Sequence, residues 1–254
     1  VIDLLKNPND RALQFKVNNL FSDLQLRTDS SAIYVIDRRG TTLASSNWNT
    51  KNSFVGQFYG QRPYFEDASA GKRGIFYGVG LTTGEPGLFI AEPVHSGSMV
   101  IGVVVIKVSL DALEKSWLKS PEPVFLSDSQ GVIFLSSIPT WQFKSTKSLD
   151  ANQLNSIKIH GQYGDRDSFE LLPWKMSRSS DSNVFSFHIP IDGANHKFMA
   201  INKELPELGW TLTVTSNYSE VTQARNAAIL IATLITVIVA LGILYFRLRE
   251  KRYL

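Results

Sequence analysis

Apolar residues recur at helical spacing in residues 10–27, where Leu13, Val17, Leu20, Phe21 and Leu24 mark one face of an expected amphipathic helix. The pattern then shortens to strands. An apolar run at 32–36 meets Asp37-Arg38-Arg39-Gly40, a turn whose glycine supplies a positive φ, and a second run at 41–46 completes a hairpin. Further strands are expected near 73–80, 87–94 and 100–109, with helices near 62–70 and 110–118. In the second half, strands are expected near 123–127, 132–136, 166–172, 183–189, 196–202 and 209–216, with a helix near 149–157 and a serine-rich hairpin loop at 178–183.

The two halves repeat each other. Asp37, Gly40, Ser45 and Ser46 align with Asp128, Gly131, Ser136 and Ser137 at a constant offset of 91 residues. At the far end, the strand around Lys107 aligns with the one around Val214, which puts Val214 opposite Lys107. A repeat of this size is a duplicated domain rather than a solenoid period. The fold class expected is α+β, two tandem domains with antiparallel sheets. They would divide as an N-terminal helical segment at 1–30, a first domain at 31–120 and a second at 121–218, joined near Pro121-Glu122-Pro123.

Residues 227–246 carry no charge and no proline. About 20 such residues at a helical rise of 1.5 Å match a hydrocarbon layer of ~30 Å, so a C-terminal transmembrane helix is expected, continuous with a connecting helix from 219. Arg247, Arg249, Lys251 and Arg252 follow and orient residues 247–254 to the cytoplasm. Residues 1–226 would then be periplasmic, and a further membrane helix is expected upstream of Val1. The net charge of +3 is carried entirely by this tail, which counts four cations against Glu250. The outer portion is near neutral, which argues against nucleic acid as a partner. With no cysteine in the chain, disulfides and thiol chemistry are excluded.

Catalytic patterns are missing. There is no HExxH, GxSxG or Walker loop, and His95, His160, His188 and His196 stand at no metal-binding spacing. No cofactor, metal or catalytic residue is expected. The chemistry instead concentrates between Phe58 and Lys107. Arg62 precedes Pro63 at an expected helix start, where a carboxylate would meet both a guanidinium fork and the helix dipole. Tyr77 is followed by Thr82 and Thr83 in a glycine-rich stretch that offers hydroxyls without charge. Lys107 interrupts an apolar strand, an expensive place for an ammonium unless it is paired. Two cations converging from a helix end and a strand fit a ligand with two carboxylates, walled by Tyr59, Tyr64, Tyr77 and Phe89.

These motifs, together with Ala44-Ser45-Ser46-Asn47-Trp48, Phe54-Val55-Gly56, Arg62-Pro63-Tyr64-Phe65 and Val103-Val104-Val105-Ile106-Lys107-Val108, resemble the periplasmic sensor of C4-dicarboxylate sensor histidine kinases, a tandem PAS-like or double Cache module. The resemblance implies a membrane-distal domain that binds succinate, fumarate or malate, with Arg62 and Lys107 on the carboxylates, Tyr59 beside them, and Thr82 or Thr83 as the hydroxyl partner. It implies an inner-membrane protein, a homodimer, and a kinase core that acts on a response regulator and lies outside these 254 residues. The alternatives are the same fold on a chemotaxis receptor or nucleotide cyclase, or an amino-acid ligand, for which only Glu85 stands close enough to meet an amino group. A periplasmic enzyme would need a constellation that the sequence lacks.

Overall fold

The structure is a computed structural model that describes residues 1–120, 122–178, 184–191, 193–218 and 229–236. Two N-terminal helices precede two sheets that follow one another along the chain. Helix α1 covers Ile2–Lys6, and α2 covers Arg11–Thr28. Asp10 caps α2 by accepting the amides of Ala12 and Leu13, and Asp29 ends it at φ 52°. The helix buries Val17, Asn18 and Phe21 against Ile33, Val35, Leu43 and Ala44. Asn18 also accepts the amide of Ser45. The buried stripe is narrower than the expected one. Leu20 and Leu24 are 47% and 37% exposed, because the helix meets the sheet along a single line of residues.

The first sheet contains β1 (Ala32–Asp37), β2 (Thr42–Ser45), β3 (Gly74–Val79), β4 (Pro86–Ser96) and β5 (Met99–Val108), all antiparallel and ordered β2-β1-β5-β4-β3. Helix α3, Pro63–Ser69, packs on one face with Pro63 in its first turn. A Cβ on Gly74 would lie 2.1 Å from the carbonyl oxygen of Tyr64, so α3 approaches β3 backbone to backbone. Gly74→Ala should force α3 off the sheet and destabilise the fold by about 2 kcal/mol, a loss that urea denaturation would read.

Helix α4, Asp111–Trp117, leads to the second sheet. Its strands are β6 (Val124–Ser127), β7 (Ile133–Ser136), β8 (Lys175–Arg178), β9 (Val184–Ile191), β10 (Ala194–Leu205) and β11 (Trp210–Asn217), ordered β7-β6-β11-β10-β9-β8. Helix α5 spans Ala151–Ile159 and begins with a capping box between Asp150 and Gln153. The strand expected near 166–172 does not form. Phe169 leaves for a packing contact with Tyr163, and Leu172 is pinned in the core. The segment is tied to Ser145 by a single bridge, and β8 takes the sheet edge. The expected hairpin loop at 178–183 falls mostly outside the described residues.

The repeat is visible atom by atom. Asp37 accepts the amides of Arg39 and Thr41, and Asp128 accepts those of Gln130 and Val132. Gly40 and Gly131 sit at φ 90° and 88°. Ser46 Oγ accepts the amide of Ile33 as Ser137 Oγ accepts that of Val124. The far strands correct the sequence alignment by one residue. Val214 pairs with Val124, whereas Ile106 pairs with the equivalent Ile33. The counterpart of Lys107 is therefore Thr215, which is buried and donates to the carbonyl of Pro123. A one-residue shift on a strand changes faces, which is why Val214 and Ile106 are both solvent-exposed.

Among the described residues, no helix is long and apolar enough to cross a membrane. Of the expected span at 227–246 only 229–236 are described, and the rest, with the connecting segment from 219 and the basic tail, lies outside them.

Candidate functional site

Strand register builds the floor of the site. Phe76, Phe89, Lys107 and Ala32 stand opposite one another across β3, β4, β5 and β1, so their side chains share one face of the first sheet. Helix α3 lies over this face. Tyr64 stacks on Phe89 with ring centroids 5.1 Å apart, and its hydroxyl receives a 2.9 Å hydrogen bond from the hydroxyl of Tyr34. Arg62, just ahead of α3, is only 2% exposed and turns its guanidinium over the ring of Phe76 at 4.7 Å and that of Phe89 at 5.5 Å.

Lys107 is also 2% exposed, and its ammonium lies 5.7 Å from the centre of the Phe89 ring. The two cations thus address one aromatic residue and the connection from β3 to β4, Arg62 at the last residue of β3 and Lys107 in the loop that follows. Arg62 Nη2 donates to the carbonyl of Val79 at 3.0 Å. Lys107 Nζ donates to Thr83 Oγ1 at 3.2 Å and to the carbonyl of Glu85 at 3.0 Å. Gly80 and Gly87 make room for that ammonium. A Cβ on Gly80 would fall 3.3 Å from Nζ, and one on Gly87 would fall 2.7 Å from Cε.

Among the described residues, neither cation has a buried counter-charge. Arg62 forms no salt bridge among the described residues, and its Nη1 donates only to the carbonyls of His160 and Gly161. Glu85 reaches Lys107 at 3.9 Å with a carboxylate whose side chain is 75% exposed. Burial pushes both pKa values below their ordinary positions. For Lys107 the pull of Glu85 and Asp111 opposes that shift only in part. Burial raises the phenols of Tyr34, Tyr59 and Tyr64, so all three stay neutral donors.

Of the residues singled out in the sequence, Tyr59, Arg62, Tyr64, Thr82 and Phe89 line one cavity with Tyr34, Phe54, Gly80 and Leu81. Tyr59 and Thr82 close it with a 2.6 Å hydroxyl contact. Thr83 and Lys107 do not line this cavity and hold each other instead, so each of the two threonines serves a different neighbour. Tyr77 is not brought to the site. Its place on β3 alternates with Phe76, and its ring stacks on Phe134 of the second sheet at 4.2 Å. Phe76, Tyr34 and Phe54 were missed. The period of two gave a signal for Tyr34, since Ala32, Tyr34 and Ile36 fall on one face of β1, the face that Lys107 shares.

The cavity holds only about 10 Å³, room for one water and too little for a four-carbon diacid. It adjoins an open cleft of about 240 Å³ that shares Tyr59, Arg62 and Leu81 and is bounded by Phe58, Gln61, Lys158 and His160. The corresponding interior of the second sheet is filled by Trp141, Phe185 and Phe187, with no cation among them.

The Cache domain family matches residues 2–225 of the chain. The chain is 31% identical over 252 residues, 98% of its length, to the C4-dicarboxylate transport sensor protein DctB of Pseudomonas aeruginosa, and 29% identical over 244 residues to the DctB of Rhizobium meliloti. It spans 38% and 39% of the lengths of these relatives. Among solved structures it is similar to the V. cholerae histidine kinase DctB sensor domain, with a TM-score of 0.76, 31% identity, and 85% of this chain and 83% of that one covered. The periplasmic domain of RsbU from Chlamydia trachomatis, at 14% identity and a TM-score of 0.62, shares the fold.

Proposed function

Because the chain belongs to the Cache domain family, as a sensor domain related to that of DctB, we propose that it is the extracytoplasmic input of a sensor histidine kinase and that its first sheet binds a C4-dicarboxylate. The observation that carries this reading is the pair of buried cations without buried anions beside them among the described residues. An uncompensated charge in a protein interior costs several kcal/mol, and a ligand bearing two carboxylates would offset two such costs at once. Arg62 would take one carboxylate through its planar fork, and Lys107 the other as a point charge. Tyr59, Thr82 and Thr83 would supply neutral hydroxyls, with Tyr64 and Phe89 against the carbon chain.

Binding must move the loop at 80–85. That loop holds Thr82 on Tyr59 and Thr83 and Glu85 on Lys107, and the space behind it is too small as it stands. Closure around a diacid would favour one arrangement of this loop, which is how a ligand shifts a population. The first unit, 31–120, is read as membrane-distal and the second, 121–218, as membrane-proximal. The segment from 219 through the apolar stretch 227–246 would carry the change across the inner membrane to a kinase core and its response regulator. Leu20 and Leu24, one turn apart on α2 and partly exposed, offer a face for two-fold pairing.

Titration calorimetry with succinate, fumarate and malate, set against aspartate, tests the reading. The diacids should bind, and aspartate should bind more weakly because its ammonium faces two cations. Absence of heat with all three diacids would refute it. Affinity should also depend on pH in a definite sense. Only the protonated Lys107 attracts a carboxylate, and its folded pKa lies below 10.5. Succinate affinity should therefore fall as pH rises through that lowered value, earlier than an ordinary lysine would allow. In Lys107→Arg that alkaline decline should vanish.

A further inference from the structure

The guanidinium of Arg62 belongs to the first sheet by sequence but is held largely by the second unit. Helix α5 ends in a Schellman turn. Gly161 stands at φ 55°, its amide donates to the carbonyl of Lys158 at 3.0 Å, and the amide of Gln162 donates to that of Ile157 at 3.1 Å. The carbonyls of His160 and Gly161 then receive Arg62 Nη1 at 2.7 and 3.2 Å. They lie at the helix end that carries partial negative charge. The next carbonyl, that of Gln162, accepts the amide of Val79 at 2.8 Å, and Val79 in turn accepts Arg62 Nη2. Three successive carbonyls, at 160, 161 and 162, thus fix Arg62 and the end of β3 together. The side chain of Gln162 anchors this turn to Asp128, which also receives the hydroxyl of Tyr163 at 2.8 Å.

We infer that the turn at 160–162 is a positioning element for Arg62 and the contact through which occupancy of the first unit is registered by the second. The inference rests on the reading of Arg62 as the carboxylate anchor. Arginine has five N–H donors. Backbone carbonyls take three of them and set the plane of the fork, which leaves two for a carboxylate without further ordering cost. A carboxylate that fixes the same guanidinium from the other side makes the turn harder to open. Because the coupling is reciprocal, disturbing the turn must weaken the ligand by the same factor that the ligand steadies the turn.

Gly161 allows the test. A Cβ there would lie 3.3 Å from Arg62 Nη1 and 3.1 Å from Leu81 Cδ2. Asparagine tolerates the left-handed conformation, so Gly161→Asn keeps the helix stop while crowding the guanidinium. On the full chain, succinate should bind Gly161→Asn about tenfold more weakly than wild type. Asn155→Ala, on the same helix but away from Arg62, should bind as wild type does. In the wild-type chain, saturating succinate should slow hydrogen exchange of the Gly161 and Gln162 amides several-fold, a readout that does not depend on the variant folding. Unchanged exchange at these amides overturns the inference, and so does wild-type affinity in a folded Gly161→Asn. If the wild-type chain binds none of the diacids, the reading of the site fails and the inference with it.

Discussion

Arg62→Ala is expected to lower succinate affinity by about 3 kcal/mol or more, on the order of a hundredfold, because it removes one partner of a desolvated charge pair. The same change leaves the carbonyls of Val79, His160 and Gly161 without their donor. Each was buried against a guanidinium, so urea denaturation should show a loss of about 1–3 kcal/mol with a cooperative transition retained. Arg62→Lys separates the two effects. Lysine restores the charge but not the planar fork, so it should recover part of the stability and little of the affinity. Wild-type affinity in Arg62→Ala would remove arginine from the site.

Lys107→Met should behave in the opposite way toward stability. The ammonium is buried, and the carboxylate nearest it is exposed to water and 3.9 Å away. Methionine fills a similar volume at no desolvation cost, so stability should hold or rise by about 1–2 kcal/mol while succinate affinity falls on the order of a hundredfold. The pH dependence follows the same logic. The folded chain holds the Lys107 proton less tightly than the unfolded chain does, since its pKa is depressed below 10.5. Between those two values the unfolded state binds more protons, so wild-type stability should gain with rising pH, and the methionine variant should lose that slope. A variant several kcal/mol less stable than wild type would mean that Lys107 serves the fold rather than a ligand.

The contrast between these variants shows which parts of the site were readable from the residues. Arg62 could be found because proline at the next position marks a helix start, and Lys107 because an ammonium has no place in an apolar strand. The hairpins could be found because an aspartate, two intervening residues and a glycine specify their turn. Tyr77 was misplaced because aromatic character says nothing about strand parity. Only the register of β3 against β4 shows that Phe76, and not its neighbour, shares a face with Phe89 and Lys107. The alignment of Lys107 with Val214 failed for a related reason. Likeness between two strand-to-helix segments does not fix which residue faces which way, while the pairing with β6 assigns the position to Thr215. The expected breadth of the α2 stripe failed because spacing identifies a helical face but not how much of it a sheet can cover. The carbonyls that hold Arg62 had no signature at all, since every residue carries one.

That last feature bears on how the two halves could be recombined. The two halves look like copies, which invites exchanging one of them for its counterpart from a related chain. Yet the first half of this chain borrows backbone oxygen atoms from the second to seat its own arginine. A hybrid that joined this first half to a foreign second half would need to transplant the helix-ending glycine turn with it, or the graft would fold and remain deaf.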